Sequence, residues 1–307
     1  MTGATGLLGA VAVLDHKDAF DVVALSRREP LRVPGVRAEL LDLATDDLGP
    51  LWDRWRPDLV LHTAAQASLE ACEQDPELAH RLNVEAPRRL AAMCAASGTR
   101  MVHVSTDAVF DGTAGPYRED DEPNPRSVYA RTKLAGEEGC LEANPDVLVG
   151  RVNFFGWSRS GSRSLAEFFL GRLRAGVEAP GFTDVEFAAL YNRDLARLLV
   201  EAGVRGLSGV HHVVSSDRMS KFEFGRAVAR AFGYDEELVV PARMADRTGG
   251  PARSPRLSLD PSRFAAAIGE AMPTFAEGLG RMRQDDGAYV STLRGLEEEQ
   301  VDDLQHR

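Results

Sequence analysis

The sequence predicts an α/β fold in which a doubly wound parallel sheet is followed by a smaller C-terminal unit. In the first half of the chain, short apolar runs alternate with stretches of helical periodicity, the pattern of strands covered by helices on both faces. Glycines spaced by three residues precede the first apolar helix, and the alternation ends after Gly156. The predicted strands are residues 21–25, 58–63, 101–105 and 147–152.

The change of pattern divides the chain into two predicted domains. Residues 1–156 would form the nucleotide-binding domain, and residues 157–294 would mainly form a substrate-binding domain. Within the latter, about residues 185–220 would return in part to the first domain, because the β-branched run 209–215 can rejoin its sheet. Residues 295–307 form a polar and acidic tail, expected to be a solvated or frayed helix rather than a functional element.

The overall charge argues against nucleic acid and membranes as partners. The chain has 36 Lys and Arg against 47 Asp and Glu, a net charge of −11, and its basic residues form no stripe. The apolar run 7–14 is far too short to cross a bilayer. The three cysteines lie far apart without metal-ligand spacing, so we expect reduced thiols, no metal and a cytoplasmic location. A small molecule is the expected partner, and a homodimer is compatible with the sequence.

A glycine-rich loop near the start of the chain predicts a dinucleotide site. Its glycines lie directly before an apolar helix. Such a loop lets backbone N–H groups approach a pyrophosphate, while the helix N-terminus adds a partial positive charge, as in the Rossmann fold. The residues expected to line this part of the cofactor site are Gly3, Thr5, Gly6, Leu7, Leu8 and Gly9.

The strand that should precede this loop is nearly absent. Only Met1 and Thr2 come before Gly3, whereas a buried strand of about five residues is expected there. In a doubly wound sheet this strand lies in the middle, so its loss would remove several buried side chains worth about 1.5–3 kcal/mol each. We therefore expect that the natural protein begins upstream of Met1, and that the chain starting here binds cofactor or folds poorly.

The residues after the strand at 21–25 favour NADP over NAD. Ser26, Arg27 and Arg28 follow it, with no acid until Glu29. An NAD site commonly has an acid here to accept from the ribose 2′-OH, whereas a hydroxyl and guanidinium groups suit a 2′-phosphate. NADP(H) is thus the expected cofactor and NAD(H) the alternative, unless both arginines are ordinary solvated turn residues. Other residues expected beside the cofactor are Asp42, Leu43, Thr63, Ala64, Ala65 and Ser105.

Tyr129 and Lys133 are four residues apart and would share one face of a helix. A ketone that accepts hydride develops negative charge on its oxygen, and a nearby phenol can donate a proton to it. A neighbouring ammonium favours the phenolate and makes that proton easier to transfer. Both residues are therefore predicted to be catalytic, and both to contact the cofactor, with Lys133 on the nicotinamide ribose.

Hydroxyl groups end the strand predicted at 101–105, at the edge where a parallel sheet presents its ligands. Thr106 is predicted to donate to the same carbonyl oxygen as Tyr129. The alternative is that Ser105 and Thr106 merely cap the strand or the next turn. Glycine loop, strand-end hydroxyl and Tyr–Lys pair occur in the expected order, so together they indicate a dinucleotide-dependent oxidoreductase.

These patterns resemble the extended short-chain dehydrogenase/reductase family. The resemblance rests on the glycine loop, His62-Thr63-Ala64-Ala65, Asn83, the run Ser-Thr-Asp-Ala-Val-Phe-Asp-Gly from Ser105, and Tyr129-x-x-x-Lys133-Leu134-x-Gly136-Glu137. Within this family, Ser-Thr-Asp-x-Val-Phe-Asp-Gly is similar to the dTDP-4-dehydrorhamnose reductase group. The likeness covers most of the chain and is specific in the first half.

The resemblance implies roles for individual residues. Thr106, Tyr129 and Lys133 would be the catalytic group, and Asn83 would hold a helix bend and a proton-relay water. The substrate would be a sugar nucleotide, and the residues expected to contact it are Gln66, Thr106, Asp107, Ala108, Asn153, Phe154 and Arg253.

Arginines in the second half are candidates for the pyrophosphate of such a substrate, with solvated surface charge as the alternative. The candidates are Arg163, Arg247, Arg253 and Arg256. All but Arg163 belong to residues 241–261, which are rich in Pro, Gly and Arg without periodicity and are predicted to be a loop over a ligand.

The predicted reaction is NADPH-dependent reduction of a 4-keto group on a nucleotide-activated deoxysugar. Many rhamnose-pathway reductases have an aromatic residue where this chain has Ala108, so the identity of the sugar stays open. One alternative is a sugar-nucleotide epimerase or dehydratase that keeps NAD bound. Another is a non-catalytic NADP-binding regulatory subunit, since the regulatory relative of methionine adenosyltransferase in this family keeps the Tyr and the Lys.

Overall fold

The first half of the chain forms the predicted alternation of strands and helices. The computed structural model describes residues 1–246, 249 and 254–305, with the backbone alone for 297–305. The elements of this half are α1 Gly9–His16, β1 Val23–Ser26, β2 Arg37–Leu40, α2 Gly49–Trp55, β3 Leu59–His62, α3 Leu69–Gln74, α4 Pro76–His80, α5 Ala86–Ser97, β4 Arg100–Thr106, α6 Val128–Ala143 and β5 Leu148–Val152.

The second half combines shorter strands with helices. Its elements are β6 Phe154–Phe155, α7 Leu165–Arg174, β7 Ala179–Phe182, β8 Glu186–Phe187, β9 Leu190–Tyr191, α8 Asn192–Arg205, β10 Gly209–Val213, β11 Met219–Ser220, α9 Lys221–Phe232, β12 Val239–Ala242, β13 Arg256–Leu257, α10 Ser262–Ile268, α11 Phe275–Gln284 and α12 Ala288–Gln305.

The central sheet is parallel throughout. Its strands pair in the order β10, β5, β4, β3 on one side and β1 with β2 on the other. Because β10 pairs with β5, the prediction that run 209–215 rejoins the first sheet is confirmed. The carboxyl ends of β1, β3, β4 and β5 therefore meet at one edge, where parallel sheets bind their ligands.

Thr2 occupies the place of the nearly absent first strand. It forms parallel bridges to Leu25 in β1 and to His62 in β3. Its N–H donates to Leu61 O at 3.1 Å, and its hydroxyl hydrogen-bonds His62 Nδ1 at 2.7 Å. Thr2 thus connects the β1–β2 pair to the four strands β10, β5, β4 and β3. The expectation that the natural protein begins upstream of Met1 stays a prediction.

Alternate residues of the central strands belong to different apolar clusters. Val102 and Leu148 pack with α1 and α8 on one face, whereas Met101 and Val149 pack with α5 on the other. Burial on both faces explains why these strands are nearly continuous apolar runs in the sequence.

The second half packs around aromatic rings and is more structured than the sequence suggested at 241–261. Phe155, Phe224 and Phe275 have ring centroids 5.1–5.9 Å apart. Arg256–Leu257 forms a strand beside β8, so the prediction of a loop over the whole of 241–261 is wrong there. These two residues belong to a small three-stranded sheet with β8 and β11, which a Pro- and Gly-rich composition concealed. Among the described residues, no helix is long and apolar enough to cross a membrane.

Candidate active site

The glycine loop lies tightly against the end of β3. Gly3 has φ +70°, and a Cβ there would lie 2.7 Å from both Ala64 N and Thr63 Oγ1. A Cβ on Gly9 would lie 2.1 Å from Gly3 O. Thr63 Oγ1 donates to Thr2 O at 2.8 Å and so helps to fix this turn. Only glycine fits at these two positions, and the N-terminus of α1 is left open to a ligand.

A cavity of about 380 Å³ opens beside this loop, as expected for the phosphates of a dinucleotide. Ser26 is 3% exposed, and within the described residues its hydroxyl has no hydrogen-bond partner. Exposed arginines follow it. This unpartnered hydroxyl and the nearby guanidiniums fit the 2′-phosphate of NADP. The lining residues from the first half of the chain are Thr5, Gly6, Leu7, Arg27, Arg28 and Glu29.

Several residues predicted beside the cofactor are engaged in structural contacts. Leu8 is buried and precedes α1 as its N-cap. The Asp42 carboxylate accepts from Ala44 N at 2.9 Å, which closes its own turn. Leu43 is buried, and its carbonyl accepts from the Arg89 guanidinium. The contact of Asp42, Leu43 and Ala65 with cofactor stays a prediction.

Tyr129 lies in the first turn of α6, beside the end of β4. Ser127 caps this helix by accepting from Ala130 N at 3.1 Å. The Tyr129 phenol lies beside the Thr106 side chain. Burial raises the pKa of the phenol to about 12, and the neighbouring Thr106 opposes this rise. The phenol is therefore protonated at neutral pH, which is the state that a proton donor requires.

Lys133 is buried one turn further along α6, with 2% of its surface exposed. Its Nζ donates to Val104 O at 2.8 Å and lies 3.4 Å from His103 Nε2. Burial lowers the pKa of the ammonium to about 8, while the Glu137 carboxylate opposes this. None of the hydrogen bonds described for Nζ reaches Tyr129, so its tuning of the phenol stays a prediction.

A buried ion pair supports this helix from behind. Arg151 in β5 donates to Glu137 in α6 through Nη2 at 2.9 Å and through Nε at 3.0 Å. Glu137 also accepts from the Ser105 hydroxyl. Strand alternation turns the Ser105 side chain away from Thr106, and its hydroxyl proton is used by Glu137, so its contact with the cofactor stays a prediction.

Residues predicted to contact the substrate meet at the ends of β4 and β5. Asn153 Nδ2 donates to Asp107 Oδ2 at 2.6 Å, and Thr106 Oγ1 lies 3.2 Å from Asp107 Oδ1. Thr106 Oγ1 also accepts from Ala108 N at 3.2 Å, so it caps the next turn as well as contacting Tyr129. Burial raises the pKa of Asp107 to about 6, and the Asn153 hydrogen bond opposes this. Phe154, half-buried in β6, follows directly.

Asn83 holds a helix irregularity, as the resemblance implied. It lies in the π-helical turn Arg81–Glu85, is 1% exposed, and donates to Thr132 Oγ1 of α6 at 3.0 Å. Its Oδ1 accepts from Gln66 N at 2.9 Å, so it also fixes the backbone of a predicted substrate residue. A Cβ on Gly136 would lie 2.0 Å from Asn83 O, so glycine is required for α6 to approach this turn.

The arginines predicted to bind a substrate's pyrophosphate lie in different places. Arg253 and Arg247 lie outside the described residues. Arg256 is exposed in β13, whereas Arg163 lines the phosphate cavity.

Sequence reasoning missed Asn192, which joins the two halves of the chain at the cofactor site. Asn192 is fully buried, and its Nδ2 donates to Leu7 O at 3.1 Å and to Trp157 O at 3.0 Å. A Cβ on Gly156 would lie 2.1 Å from Asn192 Oδ1. The run that enters the second half at Gly156 was noted in the sequence, but nothing near Asn192 signals its long-range partners.

Comparison with known proteins decides the family. The model of the family "RmlD substrate binding domain" matches residues 1–287. The chain belongs to this family. RmlD-like proteins are extended short-chain dehydrogenase/reductases, so the predicted family, the fold class and the general type, an NAD(P)-dependent oxidoreductase, are confirmed.

Three curated relatives of this RmlD-like chain carry different names. The probable low-salt glycan biosynthesis reductase Agl14 of Haloferax volcanii is 34% identical over 95% of this chain and 99% of that protein. Methionine adenosyltransferase 2 subunit beta of Xenopus laevis is 31% identical over 78% and 74%. The dTDP-4-dehydrorhamnose reductase of Mycolicibacterium smegmatis is 35% identical over 69% and 65%.

A solved structure shares the fold. The dTDP-4-dehydrorhamnose reductase of Bacillus anthracis, determined in complex with NADP, aligns with a TM-score of 0.80 at 23% identity. The alignment covers 92% of this chain and 96% of that one. At this level of identity the likeness shows the architecture of the RmlD-like chain.

Proposed function

We propose that this protein reduces a 4-keto group on a nucleotide-activated deoxysugar, with NADPH as the cofactor. One observation carries the proposal: the Tyr129 phenol and the Thr106 hydroxyl meet at the carboxyl end of β4. This is the sheet edge at which the glycine loop and the phosphate cavity also lie. A proton donor thus lies at the same edge as a cradle for the dinucleotide.

The residues divide the work of a carbonyl reduction. Bound NADPH supplies the hydride equivalent that the carbonyl carbon accepts. Tyr129 donates its proton to the carbonyl oxygen, and Thr106 donates a hydrogen bond to the same atom as negative charge develops there. Lys133 would hold the nicotinamide ribose, since its ammonium has three N–H donors and Val104 O accepts only one of them. The glycine loop holds the pyrophosphate, while Ser26, Arg27 and Arg28 hold the 2′-phosphate.

The polar pair beyond Thr106 suits a sugar. Asp107 and Asn153 present a carboxylate and an amide side by side, and both can hydrogen-bond the hydroxyl groups of a hexose ring. Ala108 leaves room next to them where many rhamnose-pathway reductases have an aromatic ring. We propose that these residues orient the ring, together with Gln66, Phe154 and Arg253.

The relatives support this reaction class. Agl14, aligned over nearly its whole length, is named a reductase of glycan biosynthesis, and the mycobacterial relative is named for the reduction of a 4-keto sugar nucleotide. The structural neighbour from Bacillus anthracis was solved with NADP. The first name supports a reductase of glycan biosynthesis, the second a 4-keto sugar-nucleotide substrate, and the neighbour's complex NADP as the cofactor.

The test is NADPH consumption with a panel of 4-keto sugar nucleotides. NADPH absorbance should fall with at least one dTDP- or UDP-linked 4-keto deoxysugar, and NADH should support a slower rate. Tight binding of NADPH without consumption across the panel would contradict the reductase proposal.

A regulatory subunit is the second candidate, favoured by two observations. The Lys133 ammonium is bonded to Val104 O and His103 rather than to the phenol. The 31% identical relative from Xenopus laevis is named a subunit of methionine adenosyltransferase. In this case the panel would leave NADPH unconsumed, and the protein would change the kinetics of an added methionine adenosyltransferase.

A further inference from the structure

The outer wall of the phosphate cavity comes from the second half of the chain. Loop 158–164, between β6 and α7, contributes Ser158, Arg159, Ser160 and Arg163 to the lining. Neither Thr106 nor Tyr129 lines this cavity. Arg163 was predicted as a ligand for the substrate's pyrophosphate, but the structure places it with the glycine loop and Arg27.

The backbone of this loop is held by a buried carboxylate. Glu167 in α7 is 4% exposed and accepts from Ser158 N at 2.8 Å, Ser158 Oγ at 2.7 Å and Arg163 N at 3.0 Å. Ser164 caps α7, and its hydroxyl donates to Gly156 O at 2.6 Å. The position of the Arg163 backbone is therefore set before any ligand binds, which lowers the entropic cost of binding.

A side-chain amide fixes this loop relative to the glycine loop. Asn192 Nδ2 donates both to Leu7 O in the glycine loop and to Trp157 O at the start of loop 158–164. The two walls of the cavity are thus joined through one buried residue, so a ligand between them contacts both.

The charges on the two walls are not balanced within the protein. Arg27 and Arg28 face the cavity from one side and Arg163 from the other, and Glu29 supplies the single carboxylate. Arg159 also lines the cavity but is buried and donates to Leu296 O. Arg27, Arg28 and Arg163 are exposed, and in the described part of the chain none of these three forms a salt bridge. A phosphate group suits several guanidiniums around one cavity, because its oxygens can accept two parallel N–H hydrogen bonds from each of them.

We propose that loop 158–164 closes the phosphate site of the cofactor from the second half of the chain, and that Arg163 binds one of the cofactor's phosphate groups. The inference rests on the proposed dinucleotide cofactor and adds to it a residue from the other domain. Arg163 becomes a determinant of cofactor affinity rather than a substrate ligand. The bound cofactor would then contact residues from both halves of the chain.

The experiment compares the full chain with three variants by titration of NADPH and NADH, followed by fluorescence. Arg163→Ala should weaken NADPH binding about tenfold, as expected for the loss of a hydrogen-bonded charge pair. Arg163→Lys, which keeps the charge but loses the fork, should fall between. Arg230→Ala is the matched control, because Arg230 is an exposed arginine on α9 outside the cavity. This variant should bind both nucleotides with the affinity of the parent.

The two nucleotides identify the phosphate. A loss confined to NADPH places Arg163 on the 2′-phosphate, and an equal loss for NADPH and NADH places it on the pyrophosphate. With saturating sugar substrate, Arg163→Ala should raise KM for NADPH and leave kcat unchanged. Unaltered affinity of Arg163→Ala for both nucleotides overturns the inference.

The result separates this inference from the proposed reaction. If Arg163→Ala lowers affinity but no keto sugar is reduced, the phosphate site stands and the reductase proposal fails. If the parent reduces a keto sugar and Arg163→Ala binds NADPH equally well, only the inference fails. If the parent binds neither nucleotide, both fail together.

Discussion

The two ends of the proposed cofactor cleft use charge in opposite ways. At the catalytic end, Lys133, Glu137 and Arg151 are 2%, 2% and 4% exposed. At the phosphate end, Arg27, Arg28 and Arg163 are exposed to solvent. Buried charges interact strongly and need partners within the protein, whereas exposed charges are screened and gain their partners from a ligand. The first arrangement fixes geometry, and the second provides affinity.

Breaking the buried ion pair should have the largest effect on stability. Glu137→Gln leaves the Arg151 guanidinium buried without its counter-charge, so the free energy of unfolding should fall by roughly 3–5 kcal/mol. This is a large part of the ~5–15 kcal/mol that holds a typical domain together. Urea denaturation followed by circular dichroism measures the change.

The control for this prediction is an exposed pair. Arg230 and Glu236 form a salt bridge at 2.7 Å on the surface. Glu236→Gln should shift the denaturation midpoint much less than Glu137→Gln does, because solvent screens this surface pair. If both variants unfold at the same urea concentration as the parent, the contrast between buried and exposed charge is wrong.

Removing the proton donor should have the largest effect on turnover. Tyr129→Phe keeps the ring but loses the hydroxyl, so kcat should fall at least ~10²-fold, as is typical for the loss of a general acid. NADPH affinity should stay within about twofold, because the phosphate end supplies most of it. The readouts are steady-state kinetics and fluorescence titration of the same preparation. Turnover equal to that of the parent would remove Tyr129 from the mechanism.

The sequence predicted the catalytic end better than the phosphate end, for a physical reason. Tyr129 and Lys133 are neighbours on one helix, and Thr106 follows directly from a strand, so local periodicity places each of them. The contacts of loop 158–164 with the glycine loop depend on Asn192, whose partners are far away in the sequence. Arg163 was one of four candidate arginines for a substrate's pyrophosphate, and only the packing of the two halves places it beside the glycine loop.

Sequence spacing also did not show that the hydroxyl groups at the end of β4 point in different directions. Ser105 and Thr106 were both expected at the ligand edge, yet alternation turns Ser105 to Glu137. Asp42, whose contact with the cofactor stays a prediction, also accepts the hydrogen bond that closes its own turn. In both cases a nearby backbone or charged group competes for the side chain, and that competition is invisible in residue spacing alone.

Protonation of Asp107 should have an intermediate effect on stability. Burial raises the pKa of Asp107 from 3.8 in the unfolded chain to about 6 in the folded protein. As the pH rises, the carboxyl group therefore loses its proton at a lower pH in the unfolded chain than in the folded protein. The folded state is therefore penalised increasingly between about pH 4 and 6, by on the order of 3 kcal/mol, and the penalty is constant above that range. Asp107→Asn should then be more stable than the parent at pH 8 and equal to it below pH 4.

An acid with the opposite shift provides the control for this prediction. Hydrogen bonds from Thr113 and Tyr117 lower the pKa of the half-buried Asp111, so that carboxylate stabilises the fold at neutral pH. Asp111→Asn should therefore be less stable than the parent at pH 8. Urea midpoints at pH 4 and pH 8 measure both variants. An Asp107→Asn protein that is destabilised at pH 8 would show that its hydrogen bonds outweigh its burial.

The smallest effect, and the most direct comparison of the two ends, is the response to salt. The Debye length falls from about 10 Å at 0.1 M to about 3 Å at 1 M, so added salt weakens exposed charge pairs first. Between 0.05 and 0.5 M NaCl the Kd for NADPH should rise several-fold, and the Kd for NADH less, because NADH lacks the 2′-phosphate that meets Arg27 and Arg28. The stability difference between Glu137→Gln and the parent should not change over the same range. Parallel salt slopes for the two nucleotides would mean that the exposed arginines do not meet the 2′-phosphate, and that cofactor choice is set elsewhere in the cleft.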